Sequence, residues 1–154
     1  MKVMIGRSII AIGLLAVALL AIGCSRYNAL TDNTPLGIMV DRTNYTPLMS
    51  STVGIGMTPD YPSTIDNNTV SFRWHTDYGY FLSWSAPDFK VRNNGMDVTT
   101  TDQKVYWSYD PADMDKEKPQ VRITLTMIDK ASGRTLNTTG IGIGWENRHI
   151  AHVI

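Results

Sequence analysis

The feature that most limits how this chain can fold is an alternation of period two. Val121, Ile123, Leu125 and Met127 alternate with Arg122, Thr124 and Thr126. Successive side chains of a strand point to opposite faces, so this spacing buries one face and wets the other. The same period returns at Val70, Phe72 and Trp74, set against Ser71, Arg73 and His75. It returns again at Tyr78, Tyr80, Leu82 and Trp84, set against Gly79, Phe81 and Ser83, and at Val105, Trp107 and Tyr109. A strand over 140–145 puts Ile141, Ile143 and Trp145 on one face, and residues 148–153 supply a last edge strand.

Weaker strands fall at 36–41, 53–57, 88–92 and 95–99, with Asn93-Asn94-Gly95 as a hairpin turn between the last two. A second turn is expected from Asp129 to Gly133. The one helical candidate is short: Asp110 caps a turn that starts at Pro111 and ends before Pro119. Composition agrees with strands. Past Cys24 there are 17 Thr and 14 aromatic residues, while Ala, Leu and Glu, which favour helices, together number 13. The expectation is an antiparallel β-sandwich occupying 36–154 as a single domain.

At the level of pattern this body resembles an immunoglobulin-like sandwich, with Trp84 standing where a strand-C tryptophan packs across the core. The inter-sheet cysteine pair of that class is absent. The resemblance therefore implies that Trp74, Trp84, Trp107 and Trp145 together fill the interior, since each buried aromatic removes about 150–250 Å² from water.

The amino terminus has a different character. Lys2 and Arg7 precede an uncharged run from Ile9 to Gly23, ending at Cys24, and 17 of residues 1–23 are apolar. A run of 15 residues is shorter than the roughly 18–20 that a spanning helix needs. It has the anatomy of a cleaved signal segment over 1–23. The junction Leu20-Ala21-Ile22-Gly23-Cys24 resembles the lipobox of bacterial-type lipoproteins, with Ala21 where leucine is most usual. That resemblance implies lipid attachment at Cys24, with small Gly23 leaving room for the modifying enzymes. Cys24 is the only cysteine, so no disulfide is available to the domain. Two acyl chains hold a domain at a membrane without help from the fold. Residues 24–35 read as a flexible, polar tether. In lipoproteins an aspartate after the cysteine favours the inner membrane, and Ser25 leans to the outer one.

Candidate chemistry is sparse. Without the leader the chain has 12 basic and 14 acidic residues, which provides no field for capturing nucleic acid. Gly140-Ile141-Gly142-Ile143-Gly144 suggests a phosphate-binding loop, but Trp145 stands where the third glycine is needed. Alternate glycines instead leave a bare strip of strand on which a loop, an aromatic ring or a partner chain can lie. His149 and His152 are three apart and point to opposite faces of a strand, so they read as edge residues rather than metal ligands. Asp110, Asp113, Asp115 and Glu117 gather oxygen donors, yet Lys116 and Lys118 interleave, as in a solvated, self-paired turn. Asp77 and Asp88 are the one imaginable acid–base pair, and no nucleophile elbow is present. Asn44, Asn67 and Asn137 open glycosylation-type sequons.

No catalytic, cofactor-binding or metal-binding residue is therefore assigned. The expected protein is a lipid-anchored, extracytoplasmic, non-catalytic sandwich that binds another component of the cell envelope. The competing expectation is an envelope enzyme or metal-handling lipoprotein using His75, His149 or the aspartate loop.

Overall fold

The alternating runs at 70–74, 105–109 and 121–127 form strands whose apolar members turn inward. The computed structural model describes residues 33–48, 53–84 and 90–154. Cys24, the leader and Asp88 lie outside them. The strands are β1 (Gly37–Val40), β2 (Asn44–Tyr45), β3 (Ile55–Asp60), β4 (Val70–Thr76), β5 (Tyr80–Ser83) and β6 (Arg92–Asn93). They continue with β7 (Asp97–Thr100), β8 (Val105–Ser108), β9 (Val121–Asp129), β10 (Thr135–Asn147) and β11 (Ile150–Val153). One sheet has the order β1-β3-β8-β5-β6 and the other β2-β11-β10-β9-β4-β7, with every pairing antiparallel.

This is the expected two-sheet antiparallel sandwich. Its chain path nests two arches. β4 and β5 lie in opposite sheets, as do β8 and β9, and β4 pairs with β9 while β5 pairs with β8. The β10–β11 hairpin is set between β9 and β2.

Phe72, Trp74, Ile123, Leu125 and Met127 from one sheet, and Ile55, Met57, Phe81, Val105 and Trp107 from the other, are all buried. Each such side chain contributes about 1.5–3 kcal/mol. Trp74 meets Phe81 across the interior at 6.2 Å between ring centroids. Trp107 donates from Nε1 to the Tyr78 carbonyl at 2.8 Å and to Thr76 Oγ1 at 3.2 Å, whereas no acceptor reaches Nε1 of Trp74.

Three expectations are corrected. Trp84 is not in the core: it is half-buried and stacks on Tyr106 at 4.4 Å, outside the five-stranded sheet. The inward residue of β5 is Phe81, which the register sets opposite Trp107. Asn93-Asn94-Gly95 does not close a hairpin either. Asn93 Oδ1 accepts from Gly95 N, and Gly95 takes the left-handed backbone expected of a turn. Yet β6 pairs with β5 while β7 pairs with β4, so the chain crosses from one sheet to the other here. Finally, β11 is not an edge strand, because β2 covers its outer side through Ala151 opposite Tyr45 and His152 opposite Asn44.

Candidate functional site

One end of the sandwich is closed by aromatic rings. Trp145 lies near the end of β10, beside a register shift between Trp145 and Asn147 of the kind that re-aims a side chain. Its indole stands edge-on to Tyr109 at 5.1 Å and 89°, and to Tyr78 at 6.3 Å and 86°. The three rings come from separate parts of the chain: the β4–β5 connection, the residue after β8, and β10.

Every polar atom of these rings is engaged elsewhere. Trp145 Nε1 donates to the Pro119 carbonyl at 2.7 Å, and the Tyr109 hydroxyl donates to the His149 carbonyl at 2.7 Å. The Tyr78 hydroxyl donates to Asp113 Oδ2 at 3.3 Å. Burial, then the charge of the nearby Asp113, pushes the Tyr78 phenol up to about 12. Burial raises that of Tyr109 also, so both remain protonated donors.

The loop between β8 and β9 supplies the rest. Asp110 accepts from Ala112 N at 2.8 Å and caps the 3-10 turn Pro111–Asp113, as the sequence implies. Lys116 pairs with Asp113 and holds that carboxyl below its usual range. Lys118 does something else. Its ammonium lies 5.9 Å from the ring centroids of both Tyr78 and Tyr109, buried, with no hydrogen-bond acceptor. Beside it opens a cleft of about 390 Å³ lined by residues 115–118, Trp145, Asn147 and Arg148. The sequence places Lys118 among the acidic residues of a self-paired turn, and no local pattern marks a lysine whose ring partners come from distant segments.

The other candidates separate. The glycines of 140–144 lie inside β10, paired with β9 and β11, so their amides serve ladders and not a phosphate cradle. Their bare strip is partly filled from within the chain. A Cβ on Gly142 would meet Ile154 at 2.7 Å, and one on Gly144 would meet the His152 ring at 3.0 Å. What stays open is a shallow groove of about 320 Å³ along Gln120, Arg122, Gly140 and Gly142.

His75 lies on β4, bonded to Asp97 at 2.8 Å; His149 lies exposed between β10 and β11; His152 lies across Gly144. The fold does not bring these three together. Asp77 accepts from Arg122 N at 2.9 Å, which ties the chain after β4 to β9. Among the described residues no group of three or more histidine, cysteine or acidic residues is placed to hold a metal ion. A scan against protein-family models, a search of curated proteins and a search of solved structures each find no match for this chain.

Proposed function

We propose that this protein is a lipid-anchored component of the cell envelope whose sandwich binds another envelope component without chemistry of its own. The lipobox-like junction at Cys24 supports the anchor, because it puts the single thiol where lipid would consume it. The observation that carries the binding reading is the Trp145 end. Three rings are fixed by hydrogen bonds from their polar atoms; an ammonium lies over two of them, Tyr78 and Tyr109, and the third, Trp145, lines the cleft beside it. Pre-organised aromatic faces contribute contact area at little entropic cost, which suits recognition.

Two measurements test this reading. Metabolic labelling with a fatty-acid analogue should mark the wild type and not Cys24→Ala, which should leave the membrane fraction. Persistent label in the variant removes the anchor. For binding, a photo-crosslinking residue at Asn147, beside the cleft, should capture a discrete envelope product in intact cells, while the same residue at exposed Lys130 should not. Equal capture at both positions removes the assignment of the Trp145 end.

A further inference from the structure

We propose that the ring cluster of Tyr78, Tyr109 and Trp145 is a receptor for a quaternary ammonium group, held closed by Lys118. The inference rests on the reading of this end as a recognition site, and is independent of the lipid anchor.

The argument starts from what an ammonium needs. A lysine Nζ carries three donors, and burying them without acceptors is unfavourable. Lys118 Nζ is nevertheless buried with no acceptor, over the rings of Tyr78 and Tyr109 at 5.9 Å each. What holds it there is the attraction of ring faces for positive charge, together with the nearby charge of Asp113, whose oxygens are taken up by Lys116 and the Tyr78 hydroxyl. A site that offers π faces and no acceptor suits poorly a cation with N–H groups and suits well one that has none. A quaternary ammonium sacrifices no hydrogen bond on entering such a place.

One further observation points to the same ligand class. The rings are already fixed, their hydroxyl and indole groups bound to Asp113, to the His149 carbonyl and to the Pro119 carbonyl, so what they have left to bind with is the ring surface that Lys118 now covers. Asp115 and Glu117 are among the residues that line the adjoining cleft, alongside Lys116 and Arg148. Lys118 and Trp145 also line that cleft, which provides the route by which the lysine withdraws and a ligand enters. Lys118 thus acts as a tethered competitor: the apparent affinity for an outside cation is lowered by the fraction of time the lysine occupies the rings.

The test uses the full chain in an uncharged maltoside detergent, titrated calorimetrically with tetramethylammonium and with choline. Lys118→Met, which keeps the apolar stem, and Lys118→Ala should each bind tetramethylammonium at least about tenfold more tightly than wild type, because the competitor is gone. Adding Trp145→Leu to Lys118→Met should abolish that gain. The uncharged carbon analogue of choline, 3,3-dimethyl-1-butanol, should bind far more weakly than choline. Folded Lys118 variants that show no gain overturn the proposal, and so does equal binding of the uncharged alcohol. If neither variant folds, the wild type decides. Tetramethylammonium chloride must then raise its melting temperature beyond equimolar sodium chloride, and Trp145→Leu must erase the excess; no excess overturns the proposal. An envelope partner captured at Asn147 with no ammonium binding in any of these assays leaves the recognition reading standing and removes this inference.

Discussion

The two faces of the five-stranded sheet do different work with the same kinds of residue. Tyr106 and Trp107 are neighbours on β8 and point opposite ways. Inside, Trp107 is fully buried against Tyr109, with its indole nitrogen hydrogen-bonded to the β4–β5 connection. Outside, Tyr106 is half-buried, stacks on Trp84 and carries the Lys104 ammonium 4.9 Å above its ring. Lys104 is in turn paired with Asp41 at 2.8 Å. The inner face is specified by volume and by satisfied donors, the outer by stacking and charge in water. The difference teaches that an aromatic residue's share of the stability is set by what lies over it rather than by its type.

The sharpest way to break that comparison is to truncate the inner ring. Trp107→Ala should lose about 3–5 kcal/mol, as large buried truncations do. Set against a typical total of about 5–15 kcal/mol, that is visible in any urea melt or as failure to accumulate. A finer contrast comes from conservative variants of the two buried tryptophans. Trp107→Phe leaves Thr76 Oγ1 and the Tyr78 carbonyl without their indole donor, while Trp74→Phe removes a donor that has no acceptor. Trp107→Phe should therefore cost more than Trp74→Phe by about 1 kcal/mol, the net value of one hydrogen bond. Equal costs would show that volume alone governs the interior.

The next effect concerns the backbone that seats Trp107. Gly79 has a φ of +77°, and a Cβ there would lie 2.4 Å from the Ser108 carbonyl oxygen and 2.9 Å from Trp107 Nε1. Gly79→Ala should cost at least about 1–2 kcal/mol from conformation alone, with the clash added. Gly142→Ala crowds the side chain of the exposed C-terminal residue Ile154, at Cγ1 and Cδ1, which can shift, and should be much milder. Paired thermal melts read both. A mild Gly79→Ala would mean that the turn before β5 does not hold Trp107 in place.

On the outer face, Trp84→Ala should lose about 1 kcal/mol, the scale of an aromatic pair beyond its burial. A loss as large as that of Trp107→Ala would abolish the distinction between the faces.

That contrast also marks what the sequence could and could not convey. Period two at Val121–Met127 settles that residues alternate between two faces, and here the apolar member of each pair is plainly the inner one. At 78–84 both sets are apolar or small, so the pattern does not say which is inside. The register of β5 with β8 decides it, by setting Phe81 opposite Trp107. Asn93-Asn94-Gly95 announces a turn through its own backbone chemistry, but which strands that turn joins is a matter of tertiary pairing. The capped turn at Asp110 was legible because its donor and acceptor lie two residues apart. The cluster around Lys118 was not, because its rings belong to Tyr78, Tyr109 and Trp145.

The smallest effect sharpens the electrostatic half of the comparison. Asp41 is desolvated by partial burial, which raises its pKa. Hydrogen bonds from Arg42, Lys104 and Gly56 N outweigh that and lower it to about 2 from an ordinary 3.8. A depressed carboxylate stabilises the folded state above its unfolded pKa, and that contribution is lost as pH falls through the folded value. The stability supplied by Asp41 should therefore be complete above about pH 4 and disappear toward pH 2. Asp41→Asn has no charge to lose. Its free energy of unfolding should lie below that of wild type by up to about 1 kcal/mol at neutral pH, the range of partly exposed ion pairs. The gap should close between about pH 4 and pH 2. Asp113 and Asp129, whose carboxyl groups are also held low, titrate in both proteins and cancel in the difference. Raising salt to about 1 M should shrink the gap at neutral pH, because the Lys104–Asp41 pair is open to screening ions. The absence of a gap at every pH from 7 to 2 would assign the role of Asp41 to its hydrogen bond with Gly56 N, which an asparagine can keep, and would leave stacking as the outer face's main contribution.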